Sequence, residues 1–300
     1  MKIIFMGTPD FAVPSLKILI ENNYDVCAVV TTPDKERGRG QKITYTAVKE
    51  FALKNNIQVL QPEKLRDESF ICRLKALNAD VFVVVAFRIL PKEVFSIPPK
   101  GTFNLHGSLL PKYRGAAPIQ WALINGEKET GVTTFFLDEK VDTGKMILQE
   151  KIAIEDEDDF GSLHDKMSLI GADAVLKTLT LIEEGNIHLK EQNNSAATPA
   201  PKITKETALI NWNLPAEKIH NLVRGLSPFP AAFFYYNEKI LKIYKTKINS
   251  EIKLNPSEIK QTKTSLHIGC GDGSLEILEL QLEGKKRLKA EEFLRGFSFN

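Results

Sequence analysis

Val81-Phe82-Val83-Val84-Val85-Ala86 is an unbroken apolar run rich in β-branched residues. A strand with one face in water alternates apolar and polar residues, whereas a strand apolar throughout belongs inside a parallel sheet covered on both faces. Upstream, Lys2 to Met6 and Asp25 to Thr31 are short β-branched runs. Between them lies an amphipathic stretch, Pro14 to Asn22, with Leu16, Leu19 and Ile20 on one face, which makes a βαβ unit. Helical patterns over Ala47 to Lys54 and Glu68 to Leu77 fit between the strands. Downstream, strands are predicted at Thr102 to Leu105 and Gly131 to Leu137, followed by a long helix from about Phe160 to Glu183 that stops at Gly185. Residues 1–190 are therefore expected to form an α/β domain with a doubly wound, mostly parallel sheet.

Gln192 to Pro201 reads Gln-Asn-Asn-Ser-Ala-Ala-Thr-Pro-Ala-Pro and loses all apolar periodicity, so residues 191–208 are expected to be a surface linker. A helix follows near Ala216 to Leu226. Short strands then come at Ala232 to Tyr236, Ile240 to Lys247, Ser265 to Ile268 and Ser274 to Leu282, with Gly and Asp between them. That count fits a small OB-like β-barrel over residues 209–300, an architecture that often holds nucleic acid.

The 300 residues are 43% hydrophobic and 26% charged, an ordinary globular composition. No apolar run approaches the ~20 residues of a membrane span, and the opening Met1 to Met6 turns at Gly7 too soon for a signal-peptide core. A cytoplasmic monomer without a membrane partner is the expectation. Three cysteines, Cys27, Cys72 and Cys270, are odd in number and far apart, which argues against a disulfide framework or a zinc cluster. A formal net charge of +2 does not name a partner, but its distribution is uneven. Lys35, Arg37, Arg39 and Lys42 crowd one loop, and lysines fill the last quarter of the chain. Gly7-Thr8-Pro9 follows the first strand without the Gly-x-Gly-x-x-Gly or Gly-Lys-Ser/Thr of nucleotide sites, and no His-Glu-x-x-His occurs, so no metal is expected.

Asn104 and His106 are two apart at the end of a predicted strand, so their side chains share a side, and Ser108 extends the row if the chain stays extended. In open α/β sheets ligands bind beyond the carboxyl ends of the strands. By local chemistry alone the pair is equally a structural hydrogen-bonded pair. Asp142, in Val141-Asp142-Thr143-Gly144, reads locally as the Asx residue of a tight turn.

The wider context is Asn104-Leu105-His106-Gly107-Ser108-Leu109-Leu110-Pro111-Lys112-Tyr113-Arg114-Gly115-Ala116-Ala117-Pro118-Ile119, a run that resembles the folate-dependent formyltransferases. Met6 to Ala12, Gly38 to Lys42, Asp142-Thr143-Gly144 and Gly271-Asp272-Gly273 to Gly284-Lys285-Lys286 fall in the order that family shows, so the resemblance covers nearly the whole chain. It implies a Rossmann-like formyltransferase domain, 10-formyltetrahydrofolate as co-substrate and catalytic roles for Asn104, His106 and Asp142. An amine attacking a formyl carbon raises an oxyanion and must shed a proton, while the folate nitrogen must gain one to leave. The Asn104 amide would donate to the oxyanion, His106 would stabilise it when protonated, and Asp142 would favour that charged ring or relay the amine proton.

The resemblance further implies that Ser108, Leu109, Leu110 and Pro111 contact folate, as would the loop holding Phe87, Arg88, Ile89 and Leu90. That loop departs from the family's Ala-Tyr-Gly-x-x-Leu-Pro: Ala86 to Pro91 is one residue shorter, lacks the Gly and is similar to the glycinamide ribonucleotide transformylase version. The glycine-rich basic loop would enter the acceptor stem of an initiator tRNA through Arg37, Arg39 and Lys42, with Arg39 at the most exacting position, and Lys202 would join them. The implied reaction is formylation of methionyl-initiator-tRNA. Two alternatives stand beside it: the same chemistry on an amino sugar or glycinamide ribonucleotide, with hydrolysis if water replaces the amine, and a noncatalytic RNA-binding protein. The lysine-rich second domain disfavours the first, and the joint presence of Asn104, His106 and Asp142 disfavours the second.

Overall fold

The structure, a computed structural model, describes residues 1–37 and 42–299. Val81–Val85 is the interior strand its sequence demands, buried at every residue. Parallel neighbours Lys2–Gly7 and Thr102–His106 flank it. The sheet has seven strands, in the order Met146–Ala153, Glu129–Phe136, Thr102–His106, Val81–Val85, Lys2–Gly7, Asp25–Val30 and Val59–Leu60. Pairing is parallel from Thr102–His106 to Val59–Leu60, while Glu129–Phe136 runs antiparallel to Thr102–His106. The sheet is thus doubly wound and mostly parallel. Chain order reverses at Lys2–Gly7, the switch point at which such sheets open a crevice at their carboxyl ends.

Phe5, Phe82, Phe103 and Phe135 are fully buried. Each contributes about 1.5–3 kcal/mol by leaving water. Helix Ala47–Lys54 starts where the Thr46 side chain accepts the Lys49 N–H, and Glu68–Ala76 where Asp67 accepts from Ser69. The long helix Phe160–Glu184 stops at Gly185, whose φ of +72° suits a residue without Cβ. Along it, Gly171 lets the helix approach the strand that carries the site: a Cβ there would lie 2.7 Å from Leu105 Cδ2.

Several elements were not read from the sequence, and three examples show why. Met146–Ala153 is an edge strand whose Gln149, Glu150 and Lys151 mask its periodicity. Pro118–Ile124 is a helix begun by a proline in its first position. Within the basic loop, Lys35–Arg37 pairs antiparallel with Lys42–Thr44.

The C-terminal portion carries an antiparallel six-stranded sheet in the order Ala232–Tyr236, Lys239–Asn249, Gly273–Leu282, Leu266–Cys270 and Ile259–Gln261, with Leu288–Lys289 also paired to Gly273–Leu282. Helix Ala216–Leu226 lays Ile219, Val223 and Leu226 against Leu241, Ile243, Ile277 and Leu280. Asp272, from Gly271-Asp272-Gly273, anchors the start of that helix by accepting the Ala216 N–H at 2.7 Å. Residues 191–208 contain a 3-10 turn at Asn194–Ala196 and a short helix at Lys205–Ala208.

By contact the chain divides into two compact units, each built from separated segments. One comprises Met1–Gly115, Gly131–Ile152 and His164–Pro199, and the other comprises Ala116–Thr130, Ala153–Leu163 and Ala200–Asn300. Residues 116–130 and 153–163, read from sequence as part of the first domain, thus cluster with the second unit. No helix of the described residues is long and apolar enough to cross a membrane.

Candidate active site

Thr102–His106 lies between Val81–Val85 and Glu129–Phe136, which sets Asn104 beside Val84 and Phe135, and His106 beside Thr133. Two-residue spacing puts both side chains on one face. Asn104 is half-buried, and its amide makes no hydrogen bond among the described residues. His106 is 6% exposed, and its Nε2 stands 2.8 Å from the Tyr113 carbonyl oxygen. A carbonyl only accepts, so Nε2 carries a proton and donates it. Proton exchange at this ring is therefore confined to Nδ1.

Nδ1 faces Asp142 Oδ2 at 3.8 Å, beyond a direct hydrogen bond and within ion-pair range. The same carboxylate oxygen accepts the Gly115 N–H at 2.9 Å. Asp142 sits at φ +55°, a left-handed conformation that Asp tolerates better than most residues. Gly144 completes the turn where a Cβ would collide with the Phe136 carbonyl. The tight turn read locally from the sequence and the carboxylate aimed at His106 are thus one feature.

Ser108 does not extend the row of open polar groups. It is fully buried, and its hydroxyl donates to the Lys112 carbonyl at 2.6 Å. Thr133 holds this segment: its Oγ donates to the Ser108 carbonyl at 2.6 Å and accepts from the Leu110 N–H at 3.1 Å and Gln149 Nε2 at 3.0 Å. Gln149 Nε2 also donates to the Leu110 carbonyl at 2.9 Å. The Leu110 side chain is buried with Phe135 and Met146, and Leu110–Pro111 is a cis peptide bond. Leu109 and Pro111 remain half-exposed. Thr133 and Gln149 were missed in the sequence, because a bare Thr or Gln carries no motif and their partners are distant in the chain; Tyr113 and Gly115 lie within the quoted run, but their backbone roles were not read from it.

The loop after Val81–Val85 leaves the sheet through Ala86, at φ +47°. Arg88 reaches back to donate to the carbonyls of Pro62, at 2.8 Å, and Glu63, at 3.0 Å. Burial lowers the basicity of its guanidinium. Leu90 packs into the core with Phe87 at its margin, while Ile89 is 76% exposed. Of the four residues singled out here, Phe87 and Ile89 retain apolar surface for a ligand, and Arg88 is committed to fixing the loop.

Arg37 and Lys42 are paired in the backbone register of the small hairpin, and Arg39 lies outside the described residues. Near the hairpin, Lys49 Nζ meets Asp34 Oδ2 at 2.5 Å and Gln61 Oε1 at 2.8 Å, and these partners hold the Asp34 carboxyl below its usual range. Lys202 is exposed and belongs to the second unit. Among the described residues no group of three His, Cys, Asp or Glu is placed to hold a metal ion.

Residues 1–179 match the family model described as formyl transferase, and residues 202–298 match that of the formyl transferase C-terminal domain. The chain is 51% identical to the methionyl-tRNA formyltransferase of Flavobacterium johnsoniae, across 100% of this chain and 97% of the relative. It is 49% identical to that of Caldanaerobacter subterraneus subsp. tengcongensis, across 99% and 97%. Among solved structures, WlaRD, a sugar 3N-formyl transferase in the presence of dTDP and 5-N-formyl-THF, superposes with a TM-score of 0.71 at 22% identity, covering 95% of this chain and 99% of that one.

Proposed function

The chain belongs to the formyl transferase family, and on that footing we propose that it transfers the formyl group of 10-formyltetrahydrofolate to the free amino group of methionyl-initiator-tRNA. The acceptor is drawn from full-length likeness to proteins named methionyl-tRNA formyltransferase. The chemistry is carried by one observation: the uncommitted Asn104 amide stands on the same strand face as His106, whose only exchangeable position, Nδ1, is turned to Asp142.

Bound folate supplies an activated formyl carbon. Asn104 donates a hydrogen bond to the formyl oxygen as negative charge gathers on it, with no internal bond to break first. His106, when protonated at Nδ1, adds a second source of positive potential. The Asp142 carboxylate lies 3.8 Å from that nitrogen, within ion-pair range of the protonated ring. Asp142 also takes up the proton shed by the attacking amine, and as the bond from the formyl carbon to the folate nitrogen breaks, that nitrogen gains a proton and leaves as tetrahydrofolate. Leu109, Pro111, Phe87 and Ile89 offer the apolar contacts for the folate rings. Ser108, Leu110, Arg88 and Leu90 fix the backbone that carries them. Arg37, Arg39, Lys42 and Lys202 bind the tRNA phosphates and acceptor stem, as steeply salt-dependent contacts.

The test supplies labelled 10-formyltetrahydrofolate with charged initiator tRNA, with elongator methionyl-tRNA or with no acceptor. Label on the initiator alone is the expected outcome. Release as formate without RNA would overturn the assignment.

A further inference from the structure

Gln192 opens the stretch whose polar composition reads as linker, yet it is only 8% exposed while Glu191 and Asn193 on either side face solvent. Its side-chain amide has every hydrogen-bonding position filled. Nε2 donates to the Asp142 carbonyl at 2.9 Å and the Gly144 carbonyl at 2.8 Å. Oε1 accepts from Arg114, at 3.1 Å from Nε and 2.6 Å from Nη2. This arrangement fixes the amide's orientation, since a flipped amide would set its NH2 against a guanidinium and its oxygen against two carbonyls. Arg114 Nη2 also donates to Asn194 Oδ1 at 2.9 Å.

These bonds close a ring. The Arg114 side chain grips Gln192, Gln192 grips the Asp142 backbone, and the Asp142 carboxylate returns to the N–H of Gly115, next to Arg114 in the chain. Asp142 is held in the left-handed region, and a turn in that conformation persists only where its surroundings over-determine it. Without Gln192, two carbonyls of the turn would lose their donors and the carboxylate would be free to swing away from His106.

We propose that Gln192 is a positioning residue for formyl transfer, holding the Asp142 turn so that its carboxylate faces His106 Nδ1. This rests on the reading of His106 and Asp142 as the reacting pair. Its role is to donate to the two turn carbonyls, with Arg114 steering the amide from the other side.

Four variants test it, assayed by initial rates with methionyl-initiator-tRNA and 10-formyltetrahydrofolate: Gln192→Glu, Gln192→Met, Asp142→Asn and the double variant Gln192→Met/Asp142→Asn. Gln192→Glu keeps the side-chain size and an acceptor for Arg114 but turns a carboxylate oxygen toward the two carbonyls, so it also serves if Gln192→Met does not fold. Both single Gln192 variants are expected to lower kcat by about 10- to 100-fold, with each KM within about twofold of wild type. The double variant is expected to be no slower than Asp142→Asn alone, because the two changes remove one function. Wild-type kcat in Gln192→Glu, or losses that multiply in the double variant, would overturn the proposal while leaving the pair intact. Wild-type kcat in Asp142→Asn would overturn the reading of the pair itself, and the proposal with it.

Discussion

The imidazole of His106 donates its Nε2–H to the main-chain carbonyl of Tyr113, 2.8 Å away, and so turns Nδ1 toward Asp142. Two residues further along, the N–H of Gly115 holds the carboxylate that Nδ1 faces. Backbone groups of Tyr113-Arg114-Gly115 thus orient both members of the pair. The motif residues between His106 and Pro118 therefore frame the site as well as line it.

Asn104→Ala should separate chemistry from folding. The Asn104 amide has no partner among the described residues, so its loss strands no buried group and the melting temperature should stay near that of wild type. The rate should fall about a hundred- to a thousandfold, as for loss of one oxyanion donor. Filter binding of initiator tRNA should be unchanged, and an equal loss of binding would make Asn104 structural.

Thr133→Val removes a hydroxyl that donates to Ser108 and accepts from Leu110 and Gln149 while leaving the volume almost intact. Leaving those buried groups unpaired should cost about 1–3 kcal/mol in urea unfolding. The loosened Ser108–Pro111 segment should raise the KM for folate more than that for tRNA. Unchanged stability together with unchanged folate KM would show that the segment is held by other contacts.

His220 gives a pH test of the C-terminal unit. Burial, reinforced by the nearby Arg224 cation, lowers its pKa below the ordinary 6.5. Between the folded value and about 6.5 the unfolded chain binds more protons, so folding stability rises with pH through that window. The contribution is fully present above about 6.5 and is lost as pH falls toward the folded value. Chemical denaturation at pH 7.5 and 5.5 should show a larger acid loss for wild type than for His220→Gln, and equal losses would refute the burial argument.

Thiol reactivity should rank by exposure. Burial pushes Cys270 up to about 11, and Cys27 is also raised, whereas Cys72 is exposed. A thiol that stays protonated is a poor nucleophile. Iodoacetamide at pH 8 should therefore modify Cys72 first and spare Cys270 until the chain unfolds, as read by mass spectrometry of peptides.

Much of this architecture is written in local patterns. The run Val81 to Val85 announces a strand buried on both faces, and it is one. Ala216 to Leu226 and Ala232 to Tyr236 have the same ends in sequence and structure, because amphipathic spacing and β-branched or aromatic content are properties of neighbouring residues. Met146–Ala153 escaped for the converse reason, since an edge strand with polar residues on both faces carries no periodic signal.

The sequence by itself determined that Asn104 and His106 share a face, because a strand's period of two requires it whatever the rest of the chain does. It did not determine that the Asp142 carboxylate faces His106, that Thr133 and Gln149 fasten the Ser108 segment, or that Gln192 is buried and donates to the Asp142 carbonyl. Each of those facts is a hydrogen bond or ion pair between residues far apart in the chain. Local composition reports how a residue suits its own strand or turn; which distant donor meets which acceptor is decided only when the sheet order brings their backbones together.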